Sequence, residues 1–386
     1  MRRWLVILSA FLMAGPVPGQ RLPGRYVPAP LESLRPMRFE LMPQQPDTVS
    51  IFIVGDIMSH QAMTRSAFRD GGADYSTFFR HLEGRIAGAD LAVGNMEFPL
   101  AGVPYTGYPS FSGPDEYARY LSDIGFDILL TANNHILDKG VEGLRRTVGV
   151  LDGLEGEGRL LYTGIAANAA EDTLRYPLMV AVKGVRIALL NFTYGTNTGA
   201  STRWPKVNRL RRDEIREALG RARKADFVLA FPHWGIEYQH HHSADQEDLA
   251  RFLLENGVDA VIGAHPHVVQ DRQSVGGAPV LYSLGNAVSN QNDLPARLEL
   301  AVTLRIVIPY EAEPYLLEPA VEYLWCTKPG MLEDSYATVP VRDFLGRKEQ
   351  WRRPEDYDDM ARTYEKVSNI TGIYEENDPA GNHRPY

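Results

Sequence analysis

Ser50-Ile51-Phe52-Ile53-Val54-Gly55-Asp56-Ile57-Met58-Ser59-His60 is the stretch on which the reading of this chain turns. A run of β-branched and aromatic residues that stops at Gly-Asp is the pattern of a buried strand with a carboxylate at its carboxyl end. The same grammar returns along the chain. It recurs at Gly94-Asn95-Met96-Glu97, at Asn133-Asn134-His135 with Asp138, and at His233-Trp234-Gly235-Ile236-Glu237-Tyr238. It closes with Gly263-Ala264-His265-Pro266-His267 and Tyr282-Ser283-Leu284-Gly285-Asn286. One such segment carries little weight. An ordered set that can supply Asp, Glu, Asn and several His is the donor chemistry of a dinuclear-metal hydrolase.

Working outward, strands are expected at 51–55, 90–94, 127–131, 226–231, 258–262, 279–283, 298–308 and 319–325. Lys183-Gly184 joins 177–182 and 185–191 as a hairpin. Helices are expected at 75–87, 114–124, 141–153, 211–224 and 244–256. Pro114 followed by Asp115 and Glu116 is a helix start. Alternating strands and helices early, with hairpin-like pairs later, predict an α/β fold: a mixed-sheet sandwich flanked by helices. One main domain is expected over 49–310, with a C-terminal extension over 311–386 made of an accessory helix and a polar tail.

Composition fits a globular protein: 44% of residues are hydrophobic and 23% charged. A net charge of -9 excludes broad nucleic-acid binding, which needs a basic surface to meet phosphates. Arg2 and Arg3, the apolar run Trp4–Ala14, and small residues up to Gly19 have the layout of a secretory signal peptide over 1–19. A Pro-rich linker follows over 20–48. The expected address is periplasmic or cell-surface, with the uncleaved leader as an alternative anchor. The single cysteine, Cys326, rules out an intramolecular disulfide.

The motif series resembles the CapA family of bacterial capsule and poly-γ-glutamate synthesis proteins, whose domain is similar to a calcineurin-type metallophosphoesterase. The resemblance covers roughly Ser50 to Ile308 and implies two divalent ions, of Mn, Mg, Fe or Zn. It implies Asp56 as a ligand of the first ion and Glu97 as the bridging carboxylate. Asn134 is implied for the second ion and His135 as general acid, with Asp138 fixing the His135 tautomer. His233 and His265 are assigned to the second ion and His267 to the first. The phosphoesterase pattern expects a His two residues after Asp56, where this chain has Met58. His60 is then either the replacement ligand or an ordinary loop histidine.

Asn286, Glu237 and Tyr105 are candidates for contacting substrate, with the aromatic loop Tyr105–Ser112 as wall or packed lid. His240-His241-His242 reads as a solvated loop. The implied function is hydrolysis by a metal-bound hydroxide, on an anionic surface polymer or a phosphoester. The competing reading is a non-catalytic, metal-dependent polymer binder or an export partner of a membrane synthase.

Overall fold

In the computed structural model, which describes residues 47–69, 72–199 and 203–375, the opening apolar run becomes β1 (Asp47–Ile57). The leader, most of the linker and the end of the polar tail lie outside the described residues. Side chains alternate across a strand, and β1 is buried on both faces. Ile51 and Ile53 point into one hydrophobic cluster, Phe52 and Val54 into another. A strand with apolar residues on both faces must lie between two layers.

Parallel neighbours follow on one side of β1: β2 (Leu91–Met96), β3 (Ile128–Leu130) and β4 (Leu161–Thr163). The second sheet is built from the hairpin β5 (Leu178–Val182) and β6 (Val185–Thr193), then β7 (Phe227–His233) and β8 (Ala260–Ile262). It is completed by β9 (Arg272–Val275) and β10 (Ala278–Leu281), in the order β9-β10-β8-β7-β6-β5. The chain then returns to the first sheet with β11 (Leu298–Ile308), antiparallel to β1, then β12 (Ala320–Thr327) and β13 (Ala337–Pro340). The first sheet therefore runs β13-β12-β11-β1-β2-β3-β4. The mixed-sheet sandwich expected from the sequence is what forms.

The layers follow from the three buried clusters. Between the sheets lie Ile51, Ile53, Leu91 and Ile128 from one and Ile187, Leu189, Leu229 and Ile262 from the other. The outer face of the first sheet is covered by α1 (Asp115–Ile124) and α2 (Gly140–Gly156), through Tyr117, Leu121, Leu144 and Leu151. The outer face of the second is covered by α3 (Arg212–Arg221) and α4 (Ala244–Glu255), through Ile215, Leu249 and Leu253. Their ends carry the expected signals. α1 stops at Gly125, in the left-handed region at φ 112, and α4 begins with a Ser243–Gln246 capping box.

Two expectations are corrected. The helix read over 75–87 is only a 3-10 turn at Arg80–Leu82 and a six-residue helix at Glu83–Gly88. Tertiary contacts win there: the Phe78 carbonyl accepts the Thr338 N–H of β13, and Tyr75 stacks flat on Tyr117 at 4.3 Å. The boundary set near 310 falls inside the first sheet, since β12 and β13 extend it. α5 (Pro354–Thr371) lays Met360, Tyr364 and Val367 into the same inter-sheet cluster, and Arg297 meets Asp356 of α5 in a buried ion pair at 2.5 Å. Residues 311–375 are thus part of the core fold.

Candidate metal centre

The carboxyl ends of three adjacent strands of the first sheet and two of the second converge. From the first sheet come Asp56 at the end of β1, Asn95 and Glu97 at the end of β2, and Asn134 and His135 beyond β3. From the second come His233 at the end of β7, and His265 and His267 beyond β8. The strand ends can approach because two positions lack a Cβ. One added at Gly55 would lie 2.1 Å from the Gly285 carbonyl oxygen, and one at Gly263 would lie 2.1 Å from that of Tyr282. This close approach lets the Asp56 N–H donate to Gly285 at 2.9 Å, and the Ala287 N–H donate back to Asp56, also at 2.9 Å.

Two donor groups result: Glu97 with His233 and His265, and Asp56 with Glu97 and His267. In each, the ligand atoms lie within 4.8 Å of one another, and every member is buried. Glu97 belongs to both. Asn134 joins the first group, its Oδ1 lying 2.7 Å from His233 Nε2.

Surrounding amides fix the members. Asn95 donates to Asp56 Oδ1 at 2.6 Å, and the His265 N–H donates to Asp56 Oδ2 at 3.2 Å. Asn286 accepts from His267 Nδ1 at 2.9 Å, and its own amide donates to the His267 and Ala296 carbonyls. Backbone strain is concentrated here. His265 and His267, flanking Pro266, have φ values of 103 and 60, and Tyr238 beside them has 63. Non-glycine residues persist in the left-handed region only where the surroundings impose it, at a cost of order 1–3 kcal/mol each.

The electrostatics are those of a site built for cations. Burial raises Asp56, but the His267 hydrogen bond and charge and the Asn95 hydrogen bond outweigh it and hold the acid down to about 2. Glu97 goes the other way: burial, then the Asp56 charge, push it well above the usual carboxylate range. Burial and neighbouring imidazoles keep His233 far below its ordinary value and His265 down to about 3, so both are neutral and able to ligate. Both Glu97 oxygens and His265 Nδ1 are buried without a hydrogen-bond partner among the described residues. The imidazole nitrogens of His233 and His267 stand 3.5 and 3.9 Å from those Glu97 oxygens, and a buried acid so weakly compensated is costly until a cation is shared with it. The residues present therefore fit divalent ions.

Of the residues singled out from sequence, Asp56, Glu97, Asn134, His233, His265 and His267 come together. His135 and Asp138 stand beside them, bonded Nδ1 to Oδ2 at 2.7 Å. His60 is in neither donor group. It flanks the centre, edge-on to Phe111 at 5.3 Å, with its Nδ1 accepting the Asn290 N–H at 3.3 Å. Tyr105 is turned away and rings with Phe68 at 5.7 Å. The loop folds back at Gly107 onto His60 and Gln61, so that Phe111 packs on His60 and His135 instead. Asn286 is occupied by His267 and the Ala296 carbonyl. Glu237 is exposed, and its charge helps raise both Glu97 and His267. His240 and His242 are not simply solvated. They bond the Val269 carbonyl at 2.8 Å and Asp271 at 3.0 Å, pinning the segment after His267.

Three participants escaped sequence reasoning. Asn191, inside apolar β6, accepts the Thr131 and Ala132 N–H groups at 3.0 and 2.7 Å and so ties the Asn134–His135 turn to the second sheet. Its signal was an amide in the run Ile187-Ala188-Leu189-Leu190-Asn191-Phe192. Tyr194 stacks obliquely on His265 at 4.6 Å, and the Asn197 amide lies 3.2 Å from His135 Nδ1. Both sit on a polar loop with no periodicity to mark them.

A family model described as "Bacterial capsule synthesis protein PGA_cap" matches residues 50–291. The capsule biosynthesis protein CapA of Bacillus anthracis is 30% identical over 258 residues, covering 64% of this chain and 61% of that protein. The PGA biosynthesis protein CapA of Bacillus subtilis (strain 168) is 30% identical over 257 residues, covering 64% of each. The chain thus spans a little under two thirds of these relatives' length. Among solved structures, a Haemophilus influenzae NAD nucleotidase superposes with a TM-score of 0.43 at 10% identity, covering 83% of this chain and 63% of that one. With a family model covering residues 50–291 of 386, the chain belongs to the PGA_cap family of bacterial capsule synthesis proteins.

Proposed function

We propose that this PGA_cap family member is a metal-dependent hydrolase acting on an anionic surface polymer or a phosphoester. Glu97 would be shared between an ion held with Asp56 and His267 and one held with Asn134, His233 and His265. The observation that carries this reading is the orphaned Glu97 carboxylate at the meeting point of the two donor groups. When bound, such ions supply Lewis acidity, lowering the pKa of a water and neutralising charge that develops on the substrate.

The chain's own residues supply the rest. Asp138 accepts a hydrogen bond from His135 Nδ1–H at 2.7 Å, which would fix the tautomer. Phe111 packs edge-on against the same imidazole at 4.6 Å and limits its rotation. His135 is then oriented to hand a proton to a leaving oxygen or nitrogen. An address outside the cytoplasm is part of the proposal, supported by the leader-like pattern over residues 1–19. No helix among the described residues is long and apolar enough to cross a membrane.

The test is the metal content of the purified protein and of His135→Ala, with turnover on γ-glutamyl oligomers and on aryl phosphates. The expected result is about two ions in both proteins and turnover only in the unaltered one. Two ions with no turnover in either would leave a metal-dependent polymer binder; no ion in a folded protein would sink the reading.

A further inference from the structure

Arg209 is set apart from the ion-paired arginines of this fold by what it lacks. Its Nη2 donates to Thr196 Oγ1 at 2.5 Å, and among the described residues no carboxylate pairs with its guanidinium. Arg85, Arg146, Arg159, Arg175, Arg186 and Arg297 all do have such partners. The side chain is partly withdrawn from water, and burial and then Arg211 lower its pKa. A half-buried cation without an anion is in deficit. It has been partly desolvated and has gained one neutral hydroxyl in return.

Its position gives the deficit a meaning. Arg209 pairs with Thr193 where β6 ends, and the Thr193 and Leu210 backbones continue that pairing. The loop above it starts with Tyr194, which covers His265, and reaches Asn197, which contacts His135 and whose N–H donates to the Asn134 carbonyl at 2.8 Å. Thr196, the residue held by Arg209, lies between these two. The guanidinium therefore sits under the loop that spans both halves of the centre. The charged side chains in the two donor groups and at Asp138 and Glu237 are acidic or imidazole, and Arg209 brings a permanent cation to the loop that overlies them.

We propose that Arg209 is a specificity-determining residue that pairs with an oxyanion of the substrate, a carboxylate or phosphate group outside the bond being broken. A guanidinium has donors left over after one bond to Thr196, and its planar fork matches two oxygens of such a group. The inference rests on the proposed hydrolase reading for the site's location, and it makes a separate claim about charge recognition.

The experiment is calorimetric titration of the full chain, ion-loaded and chelator-stripped, with a γ-glutamyl oligomer, the same oligomer as its neutral methyl ester, and inorganic phosphate. Arg209→Ala, Arg209→Lys and Thr196→Val are titrated alongside, with ion content measured in each. The expected result is at least tenfold weaker binding of the anionic oligomer or of phosphate to Arg209→Ala. The methyl ester and the ion content should not change, Arg209→Lys should recover part of the loss, and Thr196→Val should bind normally. Loss with the oligomer alone identifies a carboxylate as the partner; loss with phosphate identifies a phosphate. Equal binding by Arg209→Ala, equal loss with the neutral ester, or no anion binding by the unaltered protein overturns the proposal. If the protein holds no ions and yet loses anion binding with Arg209→Ala, the charge recognition stands and the hydrolase reading falls.

Discussion

Replacing Glu97 by Gln tests the centre most sharply, because Glu97 alone belongs to both donor groups. Without it the first group keeps His233 and His265 and the second keeps Asp56 and His267; neither pair of ligands has an anion bridging it to the other. His265→Ala, by contrast, depletes one group only. A ligand that binds only the folded state stabilises it by RT ln(1 + [L]/Kd), about 2.7 kcal/mol per site at a hundredfold excess over Kd. In a fold of more than 300 residues that is roughly 4 °C per site. Thermal unfolding followed by circular dichroism, with and without a chelator, should show the unaltered protein losing both increments on chelation. His265→Ala should lose about one and Glu97→Gln almost none, with ion analysis falling in the same order. Stripped of ions, Glu97→Gln should be at least as stable as the unaltered protein, since burial and Asp56 already disfavour the Glu97 charge. Two ions retained by Glu97→Gln, or no chelator effect on the unaltered protein, would refute the shared-carboxylate reasoning.

Glu299 is a second buried acid, accepting the Gly55 N–H at 2.5 Å and pushed far up by burial, then raised further by the Asp56 charge. The unfolded chain releases this proton first as pH rises through the ordinary carboxylate value, so the folded state binds more protons and stability falls above that point. Glu299→Gln keeps the acceptor and should flatten this decline; urea midpoints between about pH 4.5 and 8 would check it. Gly55→Ala drives a methyl against the Gly285 carbonyl and should cost about 2–4 kcal/mol, with reduced ion content, by urea unfolding and metal analysis. Arg297→Met leaves Asp356 buried without its cation, at a cost of about 3–5 kcal/mol; adding Asp356→Leu should recover most of it in the same assay.

The strands were legible because buried parallel strands announce themselves as apolar runs with abrupt polar ends, and β1, β2 and β7 all do so. The donor residues that converge were legible for the same reason, since they follow on such runs. What the sequence concealed depends on contacts made across the fold. Tyr75, Phe78 and Phe79 have helical spacing, yet β13 takes the Phe78 carbonyl and flat stacking on Tyr117 holds Tyr75. Arg297 and Asp356 lie 59 residues apart, and no local pattern links them. Tyr105 and Phe111 share one aromatic loop, and only its fold-back at Gly107 decides that Phe111 faces the imidazoles. Asn197 and Arg209 act through a loop whose composition is that of any connector.

Each sheet contributes part of the centre, and this bears on when an ion can be captured. A fragment holding only the first sheet would present Asp56, Glu97 and Asn134 with no imidazole from the second. One holding only the second would present His233, His265 and His267 with no carboxylate. β1, which carries Asp56, is paired on one side by β11, a strand lying beyond every ligand in the chain. During synthesis, therefore, all the donors are made before the strand that seats the first of them. If the centre takes ions as proposed, loading would wait until both sheets and β11 are available, which would guard the pocket against filling while half-made.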